Sequence, residues 1–236
     1  MGFKPVKVGI CGLGTVGSGT FNVLQRNQEE ISRRAGRVIR VEQIGARRPN
    51  PLADTSGIQT VADVFEVARN PEIDVVVELI GGCDIARELV LEAINNGKHV
   101  VTANKALIAV HGNEIFEAAQ RKNVMVAFEA SVAGGIPIVK AIREGLAANS
   151  INWVAGIING TGNFILSEMR DKGRAFADVL AEAQALGYAE ADPTFDVEGI
   201  DAAHKLTILA SLAFGVPLQF NKAYTEGISK ITAEDV

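Results

Sequence analysis

Residues 6–17 read VKVGICGLGTVG, and they decide the fold. The apolar run at residues 6–11 predicts a buried strand, and apolar positions recur at helical spacing over residues 16–31. Between them, residues 12–17 spell Gly-x-Gly-x-x-Gly. A glycine-rich turn that joins a strand to a helix is typical of the phosphate-binding turn of dinucleotide-binding proteins. The stretch therefore predicts the start of a strand-helix-strand unit that binds a dinucleotide.

Each position of this turn has a predicted part in holding a pyrophosphate. Gly12 permits a sharp turn, Gly14 lets the backbone approach the ligand, and Gly17 allows the helix to pack closely on the strand. The free N–H groups at the start of the helix then face the anion. The candidate cofactor-binding residues are Gly12, Leu13, Gly14, Thr15, Val16 and Gly17. The alternative is a glycine turn without a ligand, which the strand-turn-helix context disfavours.

Strands and helices alternate along the first 130 residues. Predicted strands lie at residues 38–46, 75–80, 100–103 and 124–128, and predicted helices at residues 61–68, 86–95 and 114–121. Residues 74–80 are almost continuously apolar, as in a strand that is covered on both faces. We therefore predict an α/β fold for residues 1–130, a Rossmann-type doubly wound parallel sheet that forms an NAD(P)-binding domain.

The pattern changes at a glycine-containing loop, residues 131–137, which opens a helix with Pro137 near its first turn. We place a domain boundary there and predict an α+β second domain over residues 131–236. Its predicted elements are a strand at residues 151–158, a turn at 159–163, and helices at 164–170, 176–186 and 199–214.

Charge and composition exclude several classes of function. A net charge of −5 and the lack of any long Lys or Arg run argue against nucleic acid or an anionic membrane surface as a partner. Two cysteines cannot form a disulfide framework or a cysteine zinc site, which fits a reducing compartment. No run approaches the roughly 20 apolar residues of a membrane span, and the N-terminus lacks an apolar signal core. We expect a soluble, cytoplasmic protein.

The end of the second predicted strand bears on the choice between NAD and NADP. An acid here would bind the ribose hydroxyls of NAD, but Arg47 and Arg48 stand at this position. Two arginines suit a 2′-phosphate, so the sequence favours NADP and leaves NAD open. Glu42 lies earlier in the strand and is a poorer ribose ligand. The alternative for either arginine is an exposed loop charge.

Six segments together resemble homoserine dehydrogenase. They are residues 12–17, 74–82 (DVVVELIGG), 101–107 (VTANKAL), 129–137 (EASVAGGIP), 187–193 (GYAEADP) and 196–206 (DVEGIDAAHKL). The resemblance covers essentially the whole chain, and its last two motifs are the most specific. It implies an NAD(P)-dependent oxidoreductase that interconverts L-homoserine and L-aspartate 4-semialdehyde, a step toward threonine, methionine and isoleucine.

The resemblance also implies roles for individual residues. Lys205 matches the proton donor to the aldehyde oxygen, Asp201 lies close to the substrate, and Lys105 is a second catalytic candidate at the nicotinamide. The implied substrate-binding residues are Glu190, Gly187, Asp201, Asp196 and Thr161, and the implied cofactor contacts include Thr102 and Lys105. Independently, Asp201 and Lys205 stand four residues apart on one predicted helix face, where the alternative is a surface ion pair.

A monovalent cation, a homodimer and a longer chain are further implications of the resemblance. Na⁺ or K⁺ would be held by Glu129, Val132, Gly134 and Ile136, mainly through main-chain carbonyls, whereas a plain hinge loop is the alternative. The family dimerises through its substrate domain. It also continues beyond the position of residue 236, so we expect an incomplete substrate domain in this chain.

Two rival functions remain to be tested. An aldehyde dehydrogenase of the aspartate-semialdehyde type needs an activated cysteine, but Cys11 lies inside a predicted strand and Cys83 follows two glycines without a recognisable histidine partner. A dinucleotide-binding fragment or sensor without catalysis is the alternative from another class of function.

Overall fold

The computed structural model of the protein describes residues 3–232 and 234–236. The chain divides into two compact units, Met1–Gly135 (the first unit) and Ile136–Val236 (the second unit). No helix within the described ranges combines the length and the apolar character that a membrane-spanning segment needs.

The first unit is built on a six-stranded parallel sheet, which confirms the predicted α/β class. Its strands are β1 Val6–Cys11, β2 Ile39–Gly45, β3 Gln59–Val61, β4 Val75–Glu78, β5 His99–Thr102 and β6 Val126–Ala127. They lie in the order β3-β2-β1-β4-β5-β6, with every neighbouring pair parallel. The order reverses between β1 and β4. Open parallel sheets bind ligands at the carboxyl ends of the strands beside such a reversal.

In the described part of the first unit, five helices cover both faces of this sheet. They are α1 Thr15–Arg26, α2 Gln28–Ala35, α3 Val64–Arg69, α4 Asp84–Asn95 and α5 Lys105–Lys122. Successive strand residues point to opposite faces, so Val76 joins a buried cluster with α3, α4 and α5, whereas Val77 joins the cluster that contains Phe21 of α1. This two-sided burial accounts for the continuous apolar run in the sequence.

Several predicted boundaries in the first unit are wrong. The single helix at residues 16–31 is divided at Asn27 into α1 and α2. The helix predicted at 61–68 is preceded by the short strand β3, and it begins only at Val64, where Asp63 caps it. The helix predicted at 114–121 begins at Lys105, because the Asn104 side chain accepts a hydrogen bond from Leu107 N and caps the first turn.

Within its described residues, the second unit contains helices and no strand. Its α-helices are α6 Ile138–Lys140, which continues into a π-helical turn at Ala141–Gly145, followed by α7 Gly160–Lys172, α8 Phe176–Ala185, α9 Thr194–Val197 and α10 Ile200–Phe214. Buried side chains of α7, α8 and α9 pack together around Ile165 and Met169. This cluster holds the segments that carry the candidate substrate residues.

The strand predicted at residues 151–158 is wrong. This segment has no regular structure because it pairs with no other strand among the residues described. Trp153 is 74% exposed and Ile157 is 81% exposed, so its apolar side chains do not find a buried face here. An apolar run alone does not make a strand, which also needs a hydrogen-bonded neighbour.

Candidate functional site

Two glycines of the loop at residues 12–17, the glycine loop, are required by close main-chain contacts. Gly12 has a φ of +98°, and a Cβ there would lie 2.5 Å from the carbonyl oxygen of Leu79. A Cβ on Gly17 would lie 2.0 Å from the carbonyl oxygen of Gly12. A Cβ on Gly14, in contrast, would meet nothing within 4 Å. The loop is therefore tightly packed on its inner side and open above Gly14.

The start of α1 presents main-chain donors beside this open space. Gly14 occupies the N-cap position, and no side chain caps the helix. Two hydrogen bonds fix the loop itself, because Ser18 Oγ and Asn50 Nδ2 both donate to the carbonyl oxygen of Leu13, at 3.1 and 2.9 Å. Uncapped N–H groups at a helix start form a binding place for an anion.

A groove of about 510 Å³ runs past the glycine loop, and we call it the glycine-loop groove. It is lined by residues 12–14, 45–50 and 79–80 together with Val64. Arg47 and Arg48 are exposed at its wall, and neither has an acidic partner within the described part of the chain. Glu42 is paired with Arg40 at 3.1 Å. The two arginines are therefore available to an anionic group in the groove.

A buried carboxylate, that of Glu78, connects the carboxyl ends of β4 and β5. Glu78 was not among the predicted site residues. Glu78 ends β4 and is fully buried, and its Oε2 accepts a hydrogen bond from Thr102 Oγ1 at 2.6 Å. Thr102 is also fully buried, so its hydroxyl faces Glu78 rather than a ligand. Lys105 is the first residue of α5 and is half-buried. The one acid inside the apolar run VVVELI was the available signal for Glu78.

In the second unit, Asp201 and Lys205 form a largely buried pair on α10. Lys205 Nζ donates to Asp201 Oδ2 at 2.5 Å and to the carbonyl oxygen of Ile158 at 2.8 Å. The side chains are 10% and 18% exposed, respectively. The pair is therefore not the solvated surface ion pair that the spacing alone left open.

Asn159 connects a second aspartate, Asp196, to this pair through hydrogen bonds. Its Nδ2 donates to Asp196 Oδ1 at 2.8 Å and to Asp201 Oδ2 at 3.0 Å, while its Oδ1 caps α7 by accepting from Gly162 N. We call Asn159, Asp196, Asp201 and Lys205 the acid-lysine cluster. Asn159 was not among the predicted site residues. Its position before Gly-Thr-Gly at a helix start is an N-cap signal, but nothing in that signal shows that its amide would join two carboxylates.

The other predicted substrate residues lie near the loop between α8 and α9. Thr161 Oγ1 donates to the carbonyl oxygen of Tyr188 at 2.6 Å and so connects the start of α7 with this loop. Gly187 has a φ of +74°. Glu190 is exposed, and no group of the described residues donates to its carboxylate. The carboxylate of Glu190 is therefore open to a ligand, whereas that of Asp196 is already hydrogen-bonded inside the cluster.

The loop predicted to hold a cation has an unusual backbone. Ala133 and Gly134 both have positive φ, at 60° and 56°. The carbonyl oxygens of Val132 and Gly134 accept no hydrogen bond from any described residue, whereas that of Ile136 accepts from Ile138 N at 2.8 Å. Glu129 begins a short 3-10 helix ahead of the loop. Within residues 3–232 and 234–236 no group of three or more His, Cys, Asp or Glu side chains could hold a metal ion, so a cation at this loop would depend mainly on main-chain oxygens.

Neither cysteine is set up as a nucleophile. Cys11 is fully buried, and burial, together with the nearby Glu78 carboxylate, raises the pKa of its thiol to about 12. The pKa of the Cys83 thiol is also raised, by partial burial and by Asp84 and Glu78. Thioester chemistry requires a thiolate with a lowered pKa, so the structure argues against the aldehyde dehydrogenase rival.

Two family models of known proteins match the chain, one within each unit. The chain matches the family model "Homoserine dehydrogenase, NAD binding domain" over residues 12–129 and the model "Homoserine dehydrogenase" over residues 137–236. The curated homoserine dehydrogenase of Pseudomonas aeruginosa is 80% identical over 233 residues, which cover 99% of this chain and 54% of that protein. The chain thus spans about half the length of the curated relatives it matches.

Solved structures give the same result. A homoserine dehydrogenase from Thiobacillus denitrificans superposes with a TM-score of 0.95 at 68% identity, covering 100% of this chain and 55% of that one. A hyperthermophilic archaeal homoserine dehydrogenase in complex with NADPH superposes with a TM-score of 0.82 at 28% identity, covering 98% and 76%.

Proposed function

The chain belongs to the homoserine dehydrogenase family, and from this premise we propose that its protein interconverts L-homoserine and L-aspartate 4-semialdehyde with NADP in preference to NAD. This reaction is a step in the biosynthesis of threonine, methionine and isoleucine. The observation that carries the proposal is the acid-lysine cluster, because a largely buried lysine held by Asp201 and the carbonyl oxygen of Ile158 is suited to moving a proton at a substrate oxygen.

The glycine-loop groove supports the preference for NADP. The open space above Gly14 and the uncapped start of α1 suit the pyrophosphate, and the charges of Arg47 and Arg48 at the groove wall suit a 2′-phosphate. The archaeal relative is described in complex with NADPH. When bound, the nicotinamide supplies or accepts the hydride.

Lys205 is the proposed proton carrier. During reduction the aldehyde carbon gains a hydride and its oxygen gains a proton, which Lys205 Nζ donates; during oxidation the neutral amine takes the hydroxyl proton back. Asp201 orients the amine through the bond at 2.5 Å. Lys105 is the second candidate for this proton or for stabilising the developing oxyanion.

Five residues are proposed to hold the substrate: Glu190, Gly187, Asp201, Asp196 and Thr161. Glu190 is the proposed partner of its ammonium group. An exposed carboxylate that is not hydrogen-bonded within the described residues suits a cationic ligand. Gly187, Thr161 and Asp196 support the loop and the cluster beside it.

A monovalent cation, Na⁺ or K⁺, is proposed at Glu129, Val132, Gly134 and Ile136. The carbonyl oxygens of Val132 and Gly134, which accept no hydrogen bond from the described residues, are hard ligands of the kind that alkali ions prefer. The expected response is a rise in turnover when KCl or NaCl replaces a tetramethylammonium salt at equal ionic strength.

We also propose a homodimer formed through the second unit, in the cytoplasm. The exposed side chains of Trp153 and Ile157 supply apolar surface for such a contact, and both cysteines are free, as in a reducing compartment. Sedimentation equilibrium tests the dimer, and cell fractionation tests the location.

The function is tested by following NADPH absorbance with purified full-length protein. L-homoserine with NADP should produce NADPH, and L-aspartate 4-semialdehyde should consume it, with weaker activity when NAD replaces NADP. Serine, which lacks one methylene, is the matched substrate control. Full-length protein that binds NADPH but turns over neither substrate would favour the alternative of a dinucleotide-binding protein without catalysis.

A further inference from the structure

The buried carboxylate of Glu78 belongs to a closed ring of hydrogen bonds, which we call the Glu78 ring. Glu78 Oε1 accepts from Ile80 N at 2.9 Å and from Gly81 N at 3.3 Å. Asn104 Nδ2 donates to the carbonyl oxygen of the next residue, Gly82, at 2.5 Å. The ring closes through Thr102, whose Oγ1 accepts from Asn104 N at 3.0 Å and donates to Glu78 Oε2 at 2.6 Å.

A carboxylate is the group that this ring needs. Three donors converge on Glu78, two N–H groups and one hydroxyl, and an ionised carboxylate only accepts. A glutamine would keep one accepting oxygen but would turn an NH₂ group toward Thr102. The Thr102 hydroxyl hydrogen would then lose its acceptor in a fully buried place, which costs free energy.

The ring fixes two parts of the first unit that matter for the proposed reaction. On one side it holds the turn after β4, where Ile80 lines the glycine-loop groove and Gly81 and Gly82 both have positive φ. On the other side it holds Asn104, which caps α5 and directly precedes Lys105. The main chain at both places would otherwise be free to adopt other arrangements.

We propose that Glu78 is a positioning residue that holds the Ile80 wall of the cofactor groove and the Lys105 end of α5 in one arrangement. This inference rests on the proposed function. Glu78 touches neither the groove nor a substrate, since it is fully buried, and acts through Thr102, Asn104 and the main chain of the turn.

The test compares four substitutions in the full-length protein. Glu78→Gln and Thr102→Val each break the ring, whereas Thr102→Ser keeps the hydroxyl and serves as the conservative control. Glu92→Gln controls for the loss of a negative charge from the same unit. Glu92 pairs with Arg69, and their side chains are 34% and 58% exposed, respectively. The measured quantities are kcat, KM for L-homoserine, the Kd of NADPH by fluorescence, and the thermal midpoint.

We expect Glu78→Gln and Thr102→Val to lower kcat by about 10- to 100-fold and to raise the Kd of NADPH several-fold, because small misplacements of reacting groups have effects of this order. KM for L-homoserine should change little, Thr102→Ser should recover most of the kcat that Thr102→Val loses, and Glu92→Gln should stay near wild type. A lowered thermal midpoint with kcat and Kd both within about twofold of wild type would overturn the proposal. If Glu78→Gln does not fold, the comparison of kcat and Kd between Thr102→Val and Thr102→Ser tests the proposal. Wild-type protein without homoserine turnover would refute the proposed function, whereas the effect on NADPH binding would still be measurable.

Discussion

The two units build their candidate sites in different ways. In the first unit the glycine loop is shaped by main-chain contacts, because no side chain fits at Gly12 or Gly17. In the second unit the acid-lysine cluster consists of side chains from separate segments, with Asn159 ahead of α7 and Asp201 and Lys205 on α10. The first site depends on the absence of side chains, whereas the second depends on particular functional groups.

This difference predicts opposite responses to substitution. Enlarging a glycine should disrupt the packing of the first site and lower the stability of the first unit. Removing a functional group should damage the second site through chemistry and leave cofactor binding intact. Four predictions test this contrast.

The largest effect is expected at Lys205 in the second unit. Lys205→Met keeps the length of the side chain but removes the proton and the charge, and we expect kcat of the full-length protein to fall by about 10³-fold. The Kd of NADPH should stay within about twofold. Lys205→Arg is the matched control: it keeps the charge but loses ready proton exchange, so its kcat should be nearly as low. Turnover near wild type in Lys205→Met would contradict the assignment.

The next effect separates two glycines of the same loop. Gly17→Ala places a Cβ against the carbonyl of Gly12, so we expect a loss of about 3 kcal/mol of stability, seen as a lower thermal midpoint without cofactor. Gly14→Ala has room and an ordinary φ of −72°, so the midpoint should not change. Its methyl group enters the open space instead and should weaken NADPH binding. Equal midpoints for the two variants would break the contrast between a packed and an open side of the loop.

A smaller effect is expected from the arginines of the glycine-loop groove. The double change Arg47→Ser with Arg48→Ser should lower kcat/KM for NADP by about 10- to 100-fold, as expected for lost charge-assisted hydrogen bonds, and leave NAD nearly unchanged. Arg40→Ser, at the arginine already paired with Glu42, is the control. Equal losses of kcat/KM with NADP and with NAD would show that the arginines do not bind the 2′-phosphate.

The smallest effect concerns Cys11, directly before the glycine loop. Burial raises the pKa of its thiol from 9.0 to about 12, so the folded state favours the neutral thiol. The resulting stabilisation is complete below about pH 9 and is lost as the pH rises toward 12. At about pH 10 the wild type should have lost about 1 kcal/mol more than Cys11→Ala, which has no thiol to ionise. Parallel stability curves for the two proteins from about pH 8 to 10 would contradict this.

The backbone-built site is the one that the sequence predicted well. Glycine spacing after an apolar run reports steric demands directly, and the structure meets those demands at Gly12 and Gly17. The continuous apolar run of β4 likewise predicted a strand covered on both faces. The pattern that signals each feature lies in residues that are neighbours in the chain, so a single sequence is sufficient to predict both.

Features that depend on distant partners were harder to predict. Asn159 and Glu78 each bond to groups more than 20 residues away, at Asp201 and Thr102, and no local pattern encodes these contacts. The false strand at residues 151–158 has the same origin, since strand formation requires a neighbour that the segment does not have among the described residues. The roles of Asp201 and Lys205 came from family resemblance, because their spacing was equally typical of a surface pair.

The hydrogen bonds of Lys205 limit what can bind beside it. An ammonium group carries three hydrogens, and within the described residues two of them point to Asp201 Oδ2 and to the carbonyl oxygen of Ile158. One hydrogen remains for an incoming molecule. A single oxygen, as in an aldehyde or an alcohol, satisfies it fully, whereas a carboxylate would bring a second oxygen and a negative charge next to Asp201. In the proposed reaction, the one remaining hydrogen of this nitrogen therefore favours a ligand with a single uncharged oxygen over a ligand with a carboxylate.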